Sequence, residues 1–232
     1  NLLELLIEEI TGRDFSDYMQ QAILIPLGMH HATYRWSETL EPAVPIGYNL
    51  SGAAVPVYVY PEKGSGGLFA SVEAIAAFVA AGMPNDAQNQ PVLSADSIAK
   101  LYTPMAEQLG VYSLVFDGYG LGHYLETLPG GQQAVAHGGQ GTGWMTHFQA
   151  VPETGDGIVI LTNSQRSWPL IAYLVTDWAQ WRGFGPIGMS RIILGKNMLW
   201  VVTGLIWFFV LWQAWNLIDG LARGILQFSP GS

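Results

Sequence analysis

Few residues in this 232-residue chain are of types and spacings that could do chemistry. Ser97-Ile98-Ala99-Lys100 sets a hydroxyl and an amine three positions apart. On a helix the two would share a face, the arrangement in which a base takes the proton from a serine and makes it a nucleophile. His123, His137 and His147 fall on neighbouring β-rich runs and could in principle meet around zinc, because imidazole is a common ligand. No carboxylate stands at a helpful spacing and no Asx-rich calcium loop occurs, so no bound metal is expected. His30 and His31 follow Pro26-Leu27-Gly28-Met29 in a turn and read as a solvated loop. Gly64-Ser65-Gly66 is not a nucleophile elbow, since Lys63 stands where the first glycine of Gly-x-Ser-x-Gly belongs. The chain has no cysteine, which excludes thiol catalysis, thiolate metal sites and disulfide frameworks.

The elements that must position these residues follow from apolar periodicity and stop signals. Leu2, Leu3, Leu5, Leu6, Ile7 and Ile10 recur at helical spacing and Gly12 ends the run. Asp14 can cap a second helix over 15–24 that stops before Pro26. Residues 35–65, rich in Pro, Gly and single aromatics, read as a long surface excursion. Ser71 caps a helix over 72–81, and after a polar loop residues 94–108 look helical. From Tyr119 to Asn163, short β-rich runs alternate with Gly-rich turns in the pattern of an antiparallel meander, and a helix over 169–181 should lie on that sheet.

Composition divides the chain. Hydrophobic residues make up 50% and charged residues 12%, against about 25% charged in an average soluble domain. Residues 1–180 carry 5 Lys/Arg against 17 Asp/Glu, and residues 181–232 carry 4 against 1. The acidic body argues against nucleic acid as a partner, because phosphate needs a positive surface. Residues 197–218 contain no charge and are long enough to cross a hydrocarbon layer of ~30 Å. Trp200, Trp212 and Trp215 near the ends of that stretch suit membrane interfaces, so a transmembrane helix in contact with lipid is expected. Arg182, Arg191 and Lys196 before the span, against Arg223 after it, would by the positive-inside rule place the body in the cytoplasm.

Several segments, in order, resemble the serine β-lactamase-like hydrolases, a family that includes penicillin-binding DD-peptidases, class C β-lactamases and related esterases. LLELLIEEITGRDFSDYMQQAILIPLGM is similar to the family's helix pair, GSGGLFASVEAIAAF to its Gly-Gly-Leu segment and Ser-capped helix, and YGLGHYLE with AHGGQGTGW and GIVILTNS to its closing sheet. The resemblance covers about Leu2 to Trp181. His137-Gly138-Gly139 matches the family's third box, Lys-Thr-Gly or His-x-Gly, on the strand that edges the active site. The resemblance implies that His137 projects a donor into the cleft, that Gly138 and Gly139 admit a substrate close to the backbone, and that the N–H of Gln140 is one of two oxyanion-hole donors. It implies no metal or organic cofactor. A histidine in place of the box's lysine, with an ordinary pKa of ~6.5, is only partly cationic at neutral pH and a weaker grip on a carboxylate.

The family's nucleophile box, Ser-x-x-Lys, and its Tyr-x-Asn or Ser-x-Asn box precede the helix pair. No Tyr or Ser in this chain is followed two places later by Asn, and Ser97 lies after both expected positions in a segment that resembles a linker helix. The expectation is therefore a C-terminal portion of a longer enzyme, with the missing boxes before Asn1 and the portion itself inactive. No signal-peptide pattern precedes the first helix.

These readings combine into an α+β fold, an antiparallel sheet with packed helices, followed by a C-terminal transmembrane helix. Residues 1–183 would form the hydrolase portion, 184–197 a juxtamembrane linker, 198–218 the span and 219–232 a tail. The implied activity is that of a serine hydrolase at the cytoplasmic membrane, taking a small-molecule or peptide acyl substrate. Family habit places the hydrolase portion outside the membrane, against the charge bias. The alternative is a non-catalytic β-lactamase-like module, tethered to the membrane, that binds or senses ligands.

Overall fold

The structure is a computed structural model that describes residues 1–83 and 92–224. Part of the polar loop, residues 84–91, and part of the expected tail, residues 225–232, lie outside the described residues. The chain divides after Ser190 into two compact units.

In the first unit, helix α1 (Leu2–Thr11) ends at Gly12, whose φ of 64° is the left-handed conformation glycine adopts at least cost. Its apolar side chains stay exposed, Leu2 and Ile10 most of all. Asp14 accepts from the N–H groups of Ser16 and Asp17 and caps α2 (Phe15–Met19). The single helix expected over 15–24 is not continuous: α2 opens into a π-helical turn, Gln20–Leu24. That wider turn carries Leu24 into a core cluster with Met29, Ala32 and Ala74. Strand β1 (Ala32–Thr33) follows.

The excursion over 35–65 is not featureless. It contains a small hairpin, β2 (Gly47–Tyr48) with β3 (Ala54–Val55), and a helical turn, α3 (Lys63–Gly66). Strand β4 (Phe69–Ala70) pairs with β1, and α4 (Val72–Ala81) begins at Ser71, whose side chain accepts from the N–H of Ala74. The helix expected over 94–108 is shorter, α5 (Ala95–Leu101). Pro104 explains the early end, because a proline disfavours the α conformation of the residue before it.

The meander is a five-stranded antiparallel sheet in sequence order: β5 (Gly118–Tyr119), β6 (Tyr124–Thr127), β7 (Gln133–Gly141), β8 (Trp144–Val151) and β9 (Asp156–Thr162). Alternation along β8 sends Met145, His147, Gln149 and Val151 to one face, all buried, and Phe148 and Ala150 to the other. Helix α6 (Trp168–Trp181) buries Ile171, Val175 and Trp178 and contacts β8 and β9. On the opposite face Val79 and Met83 meet Leu125, Val135 and Ala150. Each such side chain taken from water contributes roughly 1.5–3 kcal/mol.

The second unit begins at Arg191 within helix α7 (Met189–Ala222), 34 residues long, which starts inside the segment expected to be linker. It is long and apolar enough to cross a membrane by length and composition.

Candidate functional site

The second half of β7 has a partner strand on one side only. β6 pairs with β7 from Thr127↔Gln133 to Tyr124↔Ala136 and goes no further, whereas β8 pairs from Val135↔Ala150 through to Gly141↔Trp144. His137 to Gly141 therefore form an edge in which one row of backbone groups is open to a ligand. The N–H of Gly139 donates to Oγ1 of Thr146, on β8, at 3.0 Å. Backbone N–H directions alternate along a strand, so the N–H of Gln140 points away from β8, toward the open side. Gln140 and Gly139 are exposed and His137 is half-buried.

Both glycines are required by close approach. A Cβ on Gly138 would stand 2.9 Å from the Thr146 carbonyl oxygen and 3.3 Å from Nδ1 of His147, and one on Gly139 would stand 2.7 Å from Thr146 Oγ1. The β2–β3 hairpin closes on the tip of the same β7–β8 pair, where the Tyr48 N–H donates to the Gly143 carbonyl at 3.2 Å.

His137 is held by two tyrosines. Its Nε2 is 3.3 Å from Tyr119 Oη, and its ring stacks on Tyr124 with centroids 5.6 Å apart and planes at 24°. Tyr124 in turn stacks on Phe116 at 4.5 Å. Burial lowers the pKa of His137 below the ordinary histidine value, so at neutral pH the imidazole is a neutral donor or acceptor. Neither tyrosine was singled out in the sequence, where a Gly-Tyr-Gly and a His-Tyr pair carry no distinguishing pattern.

The other candidates are not brought to this edge. The register pairs His137 with Phe148 and His147 with Gly138, which puts the two histidines on opposite faces of the sheet. His147 is buried, neither ring nitrogen has a hydrogen-bond partner among the described residues, and burial pushes its pKa down to about 4, only partly opposed by the Gln149 side chain beside it. Nδ1 of His123 is taken by the Leu121 carbonyl at 3.1 Å. Among the described residues no group of three His, Asp or Glu side chains is arranged to hold a metal ion. Ser97 Oγ lies 3.0 Å from the capping hydroxyl of Ser94, Lys100 is exposed, and no hydrogen bond joins Ser97 to Lys100. Ser65 donates to the Glu62 carbonyl, and His31 Nδ1 lies 3.1 Å from the Glu41 carbonyl oxygen.

The fold is shared with solved structures. It is similar to an octameric penicillin-binding protein homologue from Pyrococcus abyssi, with TM-score 0.63 and 26% identity over 75% of this chain and 40% of that one. It is similar to a penicillin-binding protein from Bacillus halodurans, with TM-score 0.60 and 24% identity over 75% of this chain and 52% of that one. A class C β-lactamase matches with TM-score 0.59 and 18% identity over 72% of this chain and 51% of that one. The chain thus spans about half the length of these structures or less. No curated protein matches the sequence. The Beta-lactamase family model matches residues 1–175, and with three quarters of its length inside that match the chain belongs to the Beta-lactamase family.

Proposed function

We propose that this chain is the C-terminal portion of a membrane-anchored serine hydrolase that cleaves amide or ester substrates through an acyl-enzyme. The observation that carries the proposal is the open half of β7, where His137 and, three residues on, the outward N–H of Gln140 lie along one unpaired edge. A serine hydroxyl attacks the acyl carbon and its proton passes to a neighbouring lysine and tyrosine. The N–H of Gln140, with a second donor, holds the oxyanion, and His137 orients the acyl group. Collapse expels the amine or alcohol, which takes up the proton, and water then hydrolyses the acyl-enzyme and restores the serine. The Ser-x-x-Lys and Tyr-x-Asn boxes of this scheme would lie in chain preceding Asn1, so residues 1–183 supply the oxyanion edge and not the nucleophile. A neutral His137 offers a hydrogen bond in place of a fixed cation, which suits an acyl group without an adjoining carboxylate. The chemistry calls for no metal or organic cofactor.

The apolar helix supports an anchor over residues 198–218 between a linker, 184–197, and a tail, 219–232, with the hydrolase portion on the outer side of the cytoplasmic membrane. The absence of any hydrogen bond between Ser97 and Lys100 also suits a second reading, a tethered binding module without a nucleophile. Treating the intact protein in its native membranes with a fluorescent fluorophosphonate and a fluorescent penicillin decides between them. An adduct on a serine is expected. No adduct with either probe or with activated esters would leave the binding module.

A further inference from the structure

A second feature lies on the face of the sheet that His137 shares, and it plays no part in acyl transfer. Between α4, α5, the sheet and the segment of Ile23 and Leu27 is a partly open cavity of about 160 Å³. Its walls are apolar, with Phe78, Met83, Ile98, Val135 and Phe148 among them. An apolar cavity of roughly 150 Å³ is large enough to take a benzene ring.

Two side chains, His123 and Tyr102, break the apolar lining. His123 is 93% buried, being 7% exposed, and its ring lies edge-on to Tyr102 and Phe148, with centroids 5.1 and 5.9 Å away. The Leu121 carbonyl can only accept, so Nδ1 carries the proton in their 3.1 Å contact. Nε2 is then a lone-pair acceptor, and it has no partner among the described residues. Burial keeps the ring neutral, which preserves that acceptor at ordinary pH. The Tyr102 hydroxyl is already engaged, donating to the Gly82 carbonyl at 3.3 Å.

We infer that this cavity is a binding site for a ring-sized apolar ligand bearing one hydroxyl, phenol being the simplest, with the ligand O–H donated to Nε2 of His123. Shape and apolar walls select the ring, and the acceptor selects the hydroxyl. A ligand of the same size without a donor would bury Nε2 unpaired and bind more weakly. The site stands apart from the acyl-transfer reading, because it uses neither the open edge of β7 nor a nucleophile.

Methionine-methyl NMR on the intact protein in lipid nanodiscs tests it, since Met83 lines the cavity and the methionines away from it serve as controls. Phenol should shift the Met83 methyl saturably, while anisole, which has the ring but no O–H, should bind about tenfold more weakly. In His123→Phe that preference should disappear. Because this variant could fail to fold, the phenol-to-anisole ratio in the unsubstituted chain is decisive by itself. Equal affinities, no saturable shift at Met83, or equal linear shifts at all methyls from partition into lipid would each overturn the proposal.

Discussion

Tyr119 and His137, 18 residues apart in the sequence, meet at 3.3 Å between Oη and Nε2, on strands that are not neighbours in the sheet. With Tyr124 stacked on the imidazole, the pair fixes the ring at the start of the open edge of β7. Removing the stacking ring should therefore return water to the imidazole. Tyr124→Ala is expected to raise the His137 pKa toward its ordinary value, because burial is the main cause of the depression. Titration of the histidine ring signals by NMR checks this, and an unchanged midpoint would show that Tyr124 does not shield the ring.

His147 should make the fold sensitive to acid. Its pKa is about 4 in the folded chain against the ordinary histidine value of 6.5. Between those values the unfolded chain binds the proton and the folded chain does not, so stability falls as the pH drops from about 6.5 to about 4. At one pKa unit per ~1.4 kcal/mol, the loss across that window is about 3 kcal/mol. Replacing the unpartnered ring with an apolar one of similar reach, His147→Leu, should remove most of this slope. Denaturant unfolding of both chains at a series of pH values is the measurement.

The two glycines of the edge should tolerate a methyl group differently. At Gly138 the added Cβ meets backbone, the Thr146 carbonyl oxygen at 2.9 Å, whereas at Gly139 it meets the Thr146 side chain at 2.7 Å. Gly138→Ala is expected to cost about 1–3 kcal/mol whatever stands at 146. Gly139→Ala should be partly rescued by Thr146→Ala, since the double change removes the clashing hydroxyl. A double-mutant cycle on unfolding free energy separates the two cases.

Helix α7 should hold the protein in the bilayer. After carbonate washing the chain is expected in the membrane pellet, and deletion of residues 198–218 should move it to the supernatant. A full-length chain found in the supernatant would contradict the anchor.

The parts of the fold legible in the sequence are those with a local physical cause. Strands β7 to β9 could be read because apolar runs such as Gly157 to Thr162 are bounded by Gly-rich turns, and α4 could be read from the Ser71 cap. The π-helical turn at Gln20–Leu24 could not, because helix-forming residues continue through it and its cause is the packing of Leu24. The helix expected over 94–108 stops at Leu101, because Pro104 disfavours the α conformation of the residue before it. At the candidate site, His137, Gly138, Gly139 and Gln140 are proposed from a motif. Tyr119 and Tyr124 are not, because their contact with His137 arises where β6 ends and no local pattern marks that point. The buried isolation of His147 was equally hidden, since it depends on what α6 and the sheet leave unpaired.

The central claim is that the open edge of β7 polarises an acyl group, and the rate of covalent labelling tests it most directly. With the intact protein in its native membranes, fluorophosphonate should phosphonylate a serine with loss of fluoride, and His137→Ala should slow that reaction by about 10²-fold, the cost of a misplaced reacting group. Equal labelling rates for the two proteins would contradict the account.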